Sequence, residues 1–501
     1  MIKKFILVTA LLGLAGCASL QKSPSVASIR GDIRDVMLTQ PESFFYVDTA
    51  AYPQRDRTLP VGMFDSGTGG LTVLDAVVRF DGFDNNSHAP DPDGDGTADF
   101  NREKFIYLGD QANMPYGDYA QENNLPLLRE HIFKDLQFLL GTRYYPTPQS
   151  ARPSNDKQPV KAIVIACNTA TAYGKREIER FLDRAGLDLK VIGVIDAGVR
   201  GALEHFDRGE AGTLAVMATP GTVAADGYPD ALAEQLAAPG YSGGIDMFQQ
   251  PGHGLAGAVD GEIAYIDPRA AAPRPEYRGP ALLHPHAVID STILPRYGFD
   301  WDENHMLYDG SREHPRRLQI NSVENYIAYN LVSLLEQLRR AQSAKPLKVL
   351  ILGCTHYPFY LDVFEAEIGR LRDYREEGAL VYRPFLADTV HLVDPAINTA
   401  RELYDHLHQA RLLADNDLAE SRFYISVPNR DLPEAQLDAA GNFTWAYKYG
   451  RRAGENREYV KYVPFSPQTI PPETSARLRR SIPRTMAIIE RFMNGDEIIN
   501  P

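Results

Sequence analysis

Two segments of the chain place a cysteine at the end of an apolar run. The first reads IVIACNT at 163–169 and the second reads LILGCTH at 350–356, so Cys167 and Cys354 each end a strand pattern and precede polar residues that suit a helix start. A helix N-terminus offers free N–H groups to a carboxylate and lowers the pKa of a neighbouring thiol. Ligands of open α/β sheets bind beyond the carboxyl ends of strands. The matched pair therefore favours two reactive thiols facing one ligand over two inert core cysteines.

The third cysteine, Cys17, closes a targeting pattern at the start of the sequence. Lys3 and Lys4 precede an apolar stretch at 5–14, too short to span a membrane, and LAGC follows at 14–17. This pattern resembles a bacterial lipobox, whose cysteine is acylated after cleavage; a plain secretory signal with a chance cysteine is the alternative. We expect lipidation at Cys17 and a lipid anchor in the bacterial cell envelope, on the periplasmic face of the outer membrane.

Export poses a question about the two remaining thiols. The chain has three cysteines, and acylation of Cys17 leaves Cys167 and Cys354 in an oxidising compartment. They either form a disulfide or have a chemical reason to stay apart and reduced.

Alternating apolar runs and helix-period stretches predict the elements that position these cysteines. The run AIVIA at 162–166 is apolar throughout, as in a strand buried on both faces of a parallel sheet. The alternation predicts an α/β fold with parallel sheets. The predicted strands are 61–64, 105–108, 162–166, 191–194, 214–218, 245–248, 349–352 and 380–382. The predicted helices include 127–140, 323–338 and 400–412.

Length and composition limit the number of domains and the kind of partner. The chain has 501 residues, enough for about two to four domains, and a formal net charge of −14 without a dense Lys/Arg run, which argues against a nucleic-acid partner. Three stretches rich in polar, Gly or Pro residues are predicted to be surface insertions: 81–103, 144–158 and 268–317.

One of these insertions carries an acidic pattern of its own. The stretch DPDGDGTAD at 91–99 puts acidic residues at positions 1, 3, 5 and 9 and glycine at position 6, the oxygen-ligand spacing of a calcium loop. Arg102 stands where such loops carry a glutamate. We predict structural Ca²⁺ here, with a solvated acidic turn as the alternative. The predicted ligands are Asp91, Asp93, Asp95 and Asp99.

Several motifs, in chain order, resemble those of the aspartate/glutamate racemase superfamily, and of glutamate racemase most closely. They are VGMFDSGTGGLTVL at 61–74, YLGD at 107–110, PYG at 115–117, ACNTATA at 166–172, ATPGTV at 218–223 and LGCTHYP at 352–358. The pair FY at 423–424 begins a segment similar to the closing strands of that family. The two cysteine motifs and Asp-Ser-Gly at 65–67 are the most specific.

The resemblance implies two flavodoxin-like parallel-sheet domains with the active site in the cleft between them. It also implies that the end of the chain returns to complete the first domain. We therefore predict a signal peptide and lipobox at 1–17, a tether and N-terminal extension at 18–59, racemase domain 1 at 60–198, racemase domain 2 at 199–385 and a returning segment at 386–501.

The resemblance further implies two-base proton transfer at the Cα atom of glutamate or a related acidic amino acid, without a cofactor. One base serves one face of a carbon well, so two groups on opposite sides are needed. Cys167 and Cys354 would be these groups, with Asp65 assisting the first and His356 the second; a local hydrogen bond is the alternative role for His356. The implied ligands of the α-carboxylate are Asn168, Thr169 and Thr355. Those of the side-chain carboxylate are Ser66, Tyr116, Gly117 and Thr219.

The chain departs from the family where a Cys-Pro pair is usual before an acidic helix. It reads QQPGHGLAGAVD at 249–260, and Asp260 is the candidate for the acidic residue. Two other interpretations stay open: a non-catalytic envelope module that binds an acidic amino acid, and a related enzyme such as an aspartate or hydantoin racemase or a maleate isomerase. The paired cysteines favour an enzyme, because binding alone needs no thiol. The oligomeric state is open, with a homodimer as one option.

Overall fold

A computed structural model describes residues 30–237, 244–341 and 345–495. The predicted signal peptide and Cys17 lie outside the described residues. No helix in these three ranges is both long and apolar enough to cross a membrane.

The strands form two main sheets and two small hairpins. The first sheet has the order β14-β13-β2-β1-β3-β4, and the second has the order β12-β9-β5-β6. All neighbours in both sheets pair in parallel except β13 with β14. The strands are β1 Val61–Asp65, β2 Phe105–Gly109, β3 Ala162–Ile165, β4 Lys190–Gly193, β5 Gly212–Ala218, β6 Ile245–Pro251, β7 Met306–Gly310, β8 Pro315–Ile320, β9 Leu347–Gly353, β10 Arg375–Glu376, β11 Ala379–Leu380, β12 Leu386–Val393, β13 Arg422–Pro428 and β14 Val460–Pro464.

Helices cover both faces of the two sheets, as parallel sheets require. The helices are α1 Ile33–Thr39, α2 Leu71–Arg79, α3 Asp118–Gln121, α4 Leu125–Leu140, α5 Asn168–Ala185, α6 Val194–Leu203, α7 Pro220–Ala224, α8 Gly227–Leu236, α9 Leu255–Val259, α10 Leu294–Tyr297, α11 Val323–Arg340, α12 Leu361–Asp373, α13 Ala396–Gln409, α14 Trp445–Gly450, α15 Pro472–Ser481 and α16 Pro483–Asn494.

The two sheets share one strand order. In the first sheet the earliest strand, β1, lies between β2 and β3, and in the second sheet β5 lies between β6 and β9. This 2-1-3-4 order is flavodoxin-like, and its ligand crevice lies between the first and third strands, where the connections diverge. The equivalent strands β3 and β9 are the two that end just before Cys167 and Cys354. The predicted α/β fold with two parallel-sheet domains is confirmed.

The second sheet differs from the expected pattern at its edge. The predicted strand at 380–382 is wrong: Ala379–Leu380 forms only a two-residue hairpin with Arg375–Glu376. The fourth strand is β12, which pairs with β9 and runs to Val393, beyond the predicted domain boundary at 385. Its residues 387–392 are only partly buried or exposed, so it lacks the continuous apolar run that marks the inner strands. After Val393 the chain returns to the first domain. There Leu403 of α13 is buried in the hydrophobic core of that domain.

The segment predicted to be a tether is partly folded. Helix α1 buries Ile33, Val36 and Met37 in a first-domain core that also contains Leu136 of α4. Arg34 of the same helix forms an ion pair with Glu177 of α5 at 3.0 Å. A helix of seven residues is too brief for a periodic signal, so the sequence pattern did not reveal it.

The acidic loop at 91–99 is folded around backbone amides. Asp95 accepts N–H groups from Asn85 at 2.9 Å and from Thr97 at 2.8 Å, and Asp99 accepts that of Gly82 at 2.8 Å. Burial raises the pKa of Asp99 to about 6. Within the residues that the structure describes, no group of three or more His, Cys, Asp or Glu side chains converges on a metal position. Structural Ca²⁺ therefore stays a prediction.

A melting experiment tests this prediction. If Ca²⁺ joins the carboxylates, it raises the melting temperature of the protein, because a ligand that binds only the folded state stabilises it. The double variant Asp93→Ala, Asp95→Ala then loses this rise. Melting curves that coincide in Ca²⁺ and in chelator remove the site.

Candidate active site

One cavity lies where the carboxyl ends of the two sheets face each other. Every residue predicted for catalysis or substrate binding lines it, together with three others, Met114, Pro115 and Ala256. The predicted residues around the cavity are Asp65, Ser66, Tyr116, Gly117, Cys167, Asn168, Thr169, Thr219, Cys354, Thr355 and His356. Residues up to Thr169 follow strands β1, β2 and β3 of the first domain, and the later ones follow β5 and β9 of the second.

Cys167 is the N-cap residue of α5. Its sulfur accepts the N–H of Ala170 at 3.4 Å, and its thiol donates to the Ser66 hydroxyl at 3.8 Å. Burial raises the pKa of the Cys167 thiol well above its ordinary value, and the nearby Asp65 charge adds to this effect. With the cleft as the structure has it, Cys167 keeps its proton and is suited to act as an acid.

Asp65 lies beside this thiol without bonding to it. Its Oδ2 atom accepts the N–H groups of Gly70 at 2.8 Å and of Gly67 at 3.2 Å. Its buried Oδ1 atom has no hydrogen-bond partner in the described part of the chain. Burial raises the pKa of Asp65. A buried oxygen without a hydrogen bond lowers the stability of the fold. It also leaves one acceptor free for a donor that enters the cavity.

Cys354 begins a chain of contacts that leads away from the cavity. Its sulfur lies 3.4 Å from Nδ1 of His356, and Nε2 of His356 lies 2.5 Å from Oδ2 of Asp260. Burial disfavours the imidazolium, but the Asp260 carboxylate and the Cys354 thiol outweigh it and raise the pKa of His356 well above its ordinary value. A cationic imidazole thus lies in contact with the sulfur of Cys354, an arrangement that suits an activated cysteine.

Asp260 is held as an anion by two cationic partners. Burial works against its charge, but His356 and Arg477 hold its pKa at about 2. Arg477 donates from Nη2 to Oδ1 of Asp260 at 2.7 Å. Nothing in the sequence pattern pointed to Arg477, because it lies on α15 more than two hundred residues further along the chain.

Three threonine hydroxyls meet at the starts of α5 and α7. Thr169 lies 2.8 Å from Thr219 and 3.0 Å from Thr222, and the last two lie 3.0 Å apart. Asn168 accepts a hydrogen bond from the Tyr228 hydroxyl at 2.6 Å. Thr222 stands within the motif at 218–223 and so had a signal, whereas Tyr228 had none. Hydroxyl and N–H donors at two helix starts suit a carboxylate.

Tyr116 lines the cavity, but its hydroxyl is committed elsewhere. The oxygen lies 2.6 Å from Asp110 and 2.7 Å from Asp135, both fully buried. Burial raises the pKa of both carboxyl groups. Tyr116 therefore lines the cavity as predicted, and its part in binding a side-chain carboxylate stays a prediction. The backbone of the loop remains near the ligand position, because Gly117 approaches Thr219 so closely that a Cβ atom there would lie 2.9 Å from the threonine.

The cavity is small because the two domains are in contact around it. Its volume is about 20 Å³, which holds about one water molecule. A Cβ atom added to Gly69 of the first domain would lie 2.7 Å from the Thr355 hydroxyl of the second. A molecule the size of an amino acid does not fit this space with the two domains as the structure has them.

Comparison with known proteins indicates ancestry for part of the chain. No family model matches it. Over 182 residues, 36% of this chain, it is 33% identical to glutamate racemases of Streptococcus pyogenes serotype M5 (strain Manfredo) and serotype M49 (strain NZ131). The chain spans about half the length of these curated relatives, 50% in each case. The matched segment is thus homologous to glutamate racemases.

Solved structures of low overall similarity include racemases as well. A glutamate racemase isoform from Bacillus anthracis is 22% identical with a TM-score of 0.42, over 73% of this chain and 88% of that one. Glutamate racemase from Francisella tularensis, in complex with D-glutamate, is 21% identical with a TM-score of 0.40, over 74% and 88%.

Alkylation of the two thiols tests the different environments described above. Cys167 is 5% exposed and Cys354 is 6% exposed, so access alone does not separate them. We expect His356→Asn to slow alkylation of Cys354 by iodoacetamide about tenfold, because the sulfur loses the cationic imidazole beside it. Alkylation of Cys167, the internal control, changes little in this variant. Mass spectrometry of the labelled peptides gives both rates, and equal slowing of both thiols contradicts the assignment.

Proposed function

We propose that the protein is a cofactor-independent racemase that interconverts L- and D-glutamate or a related acidic amino acid by two-base proton transfer. The observation that carries the proposal is the placement of two buried thiols at equivalent strand ends of two like domains, on one shared cavity. Racemisation needs this arrangement, because a proton must leave one face of Cα and another must reach the opposite face.

The proposed reaction follows from the state of each thiol. In one direction the Cys354 thiolate removes the Cα proton, the electron pair of the broken C–H bond stays on the substrate, and the Cys167 thiol delivers its proton to the other face. The thiols end with exchanged protonation states, so the opposite enantiomer runs through the same steps in reverse. His356, as a cation, stabilises the Cys354 thiolate from its Nδ1 atom, which lies 3.4 Å from the sulfur.

Binding groups are proposed from the polar lining of the cavity. Asn168, Thr169 and Thr355 hold the α-carboxylate, where negative charge develops as the proton leaves. Ser66, the Gly117 backbone and Thr219 hold the side-chain carboxylate. Glutamate is the first choice because the relatives of the matched segment are glutamate racemases.

A racemisation assay tests the proposal. The purified chain is incubated with a panel of L- and D-amino acids, and the enantiomers are separated by chiral chromatography. We expect conversion of an acidic amino acid from either enantiomer. Cys167→Ser and Cys354→Ser should each lower the rate by about 10²-fold or more, because each removes one acid/base group.

Controls for this assay separate the alternatives. Serine is close to cysteine in shape, so an unchanged melting temperature for each variant shows that loss of activity is not loss of folding. Conversion of aspartate, a hydantoin or maleate in preference to glutamate assigns a related superfamily reaction. Saturable binding of an acidic amino acid without any conversion overturns the enzyme and leaves the envelope binding module.

We also propose that residues 1–17 act as a lipoprotein signal and that Cys17 carries the lipid. The support is the LAGC sequence at 14–17 after a short apolar stretch. More than one acyl chain on a single cysteine gives stable membrane attachment. Cys17→Ser should move the protein from the membrane fraction to the soluble fraction after cell lysis, without loss of activity. Unchanged membrane association of this variant contradicts the anchor.

A further inference from the structure

Arg477 joins the two domains behind the active site. It lies on α15, whose neighbouring residue Leu478 is buried in the core of the first domain. Its Nη2 atom donates to Asp260 at 2.7 Å and to the Thr68 hydroxyl at 3.4 Å, and its Nη1 atom donates to the carbonyl of Val259. Val259 and Asp260 belong to the second domain and Thr68 to the first, so one guanidinium spans the closed cleft.

We propose that Arg477 is a positioning residue that latches the cleft closed and aims Asp260 at His356. The kinetic consequence rests on the proposed racemase function, whereas the latch itself does not. The contacts run from Arg477 through Asp260 and His356 to Cys354, and none of these hydrogen bonds among the described residues reaches Cys167. The positioning effect is therefore specific to one of the two thiols, whereas the closing effect reaches both.

The chemistry of the contact favours arginine at this position. A planar guanidinium can donate to a carboxylate, a carbonyl and a hydroxyl at fixed angles, which a lysine ammonium on a flexible stem does not reproduce. The Nε atom of Arg477 is buried without a partner among the described residues. An unmet buried donor costs stability. Arg477 therefore aligns Asp260 while one of its own buried N–H groups stays without a partner. This is expected of a contact that positions Asp260 rather than of one that only stabilises the fold.

The latch also fits the size of the cavity. A space of about 20 Å³ admits no amino acid, so the contacts of Arg477 across the cleft must break for entry and re-form on closure. Re-formation returns Asp260 to its place 2.5 Å from His356 at the moment when the substrate is enclosed. Closure of the cleft and alignment of Asp260 with His356 would then occur together.

The test compares Arg477→Met and Arg477→Lys with a matched control on the same helix. Arg479 pairs with Glu490 on the surface of α15 and α16 at 2.5 Å and is far less buried. Arg479→Met therefore makes the same change of charge and length without touching the site. Melting temperatures of all three variants establish that they fold.

The first readout needs no catalysis. Loss of the latch opens the cleft, so iodoacetamide should alkylate Cys167 several-fold faster in Arg477→Met than in the unchanged protein or in Arg479→Met. Among the described residues Cys167 forms no hydrogen bond with Arg477, Asp260 or His356, so its rate reports opening alone. An unchanged Cys167 rate overturns the latch, whether or not the protein proves to be a racemase.

The second readout is exchange of the Cα proton in D₂O, followed by NMR for each enantiomer. Each thiol serves one face, so Cys354→Ser identifies the enantiomer whose proton Cys354 removes. Arg477→Met should slow exchange of that enantiomer about tenfold and of the other much less, with partial recovery in Arg477→Lys. Equal slowing of both enantiomers overturns the positioning role. If the unchanged protein exchanges no amino acid, the proposed function fails while the latch is still decided by the alkylation rates.

Discussion

The proposed racemisation requires access to both faces of one carbon, and the rest of the structure depends on this constraint. A single element cannot place two groups on opposite sides of a substrate, so the thiols come from two domains that face each other. Each domain supplies its thiol from the same place, the strand next to its first strand, where the connections diverge. The shared 2-1-3-4 order therefore explains why Cys167 and Cys354 meet at one cavity although 187 residues separate them in the sequence (354 − 167).

The two sides of the cavity are alike in architecture and different in charge. Cys167 is buried beside the Asp65 carboxylate, an environment that favours the protonated thiol. Cys354 is in contact with an imidazole that is itself held by Asp260 and, behind it, by Arg477. Cys167 is thus placed as an acid, whereas Cys354 has an imidazole in contact with its sulfur, and this difference suits the proposed proton transfer. Burial strengthens these electrostatic differences, because little water is present to screen them.

Apolar runs were sufficient for most of the parallel strands, and the resemblance of the motifs to a known family was sufficient for the residues that line the cavity; the inner strand β13 was indicated only by that resemblance. Apolar runs marked seven of the strands, and the motifs after them supplied all of the predicted residues that line the cavity. The half-exposed strand Leu386–Val393 lacked such a run, and helix Ile33–Thr39 was too short for a period. Arg477 and Tyr228 could not be predicted either. Their importance arises from tertiary contacts to Asp260 and Asn168, and a single arginine or tyrosine carries no local signature of such a contact.

Solvent deuterium in the first product formed tests the two-base account most directly. The acidic amino acid that reacts best is supplied as one enantiomer in D₂O, and both enantiomers are recovered at early conversion for mass spectrometry. A thiol on the far face delivers a proton that has exchanged with solvent, so the account predicts deuterium at Cα of the product and a retained proton in the unreacted substrate. A product that keeps the original Cα proton would mean that one group removes and returns it, and would contradict the account.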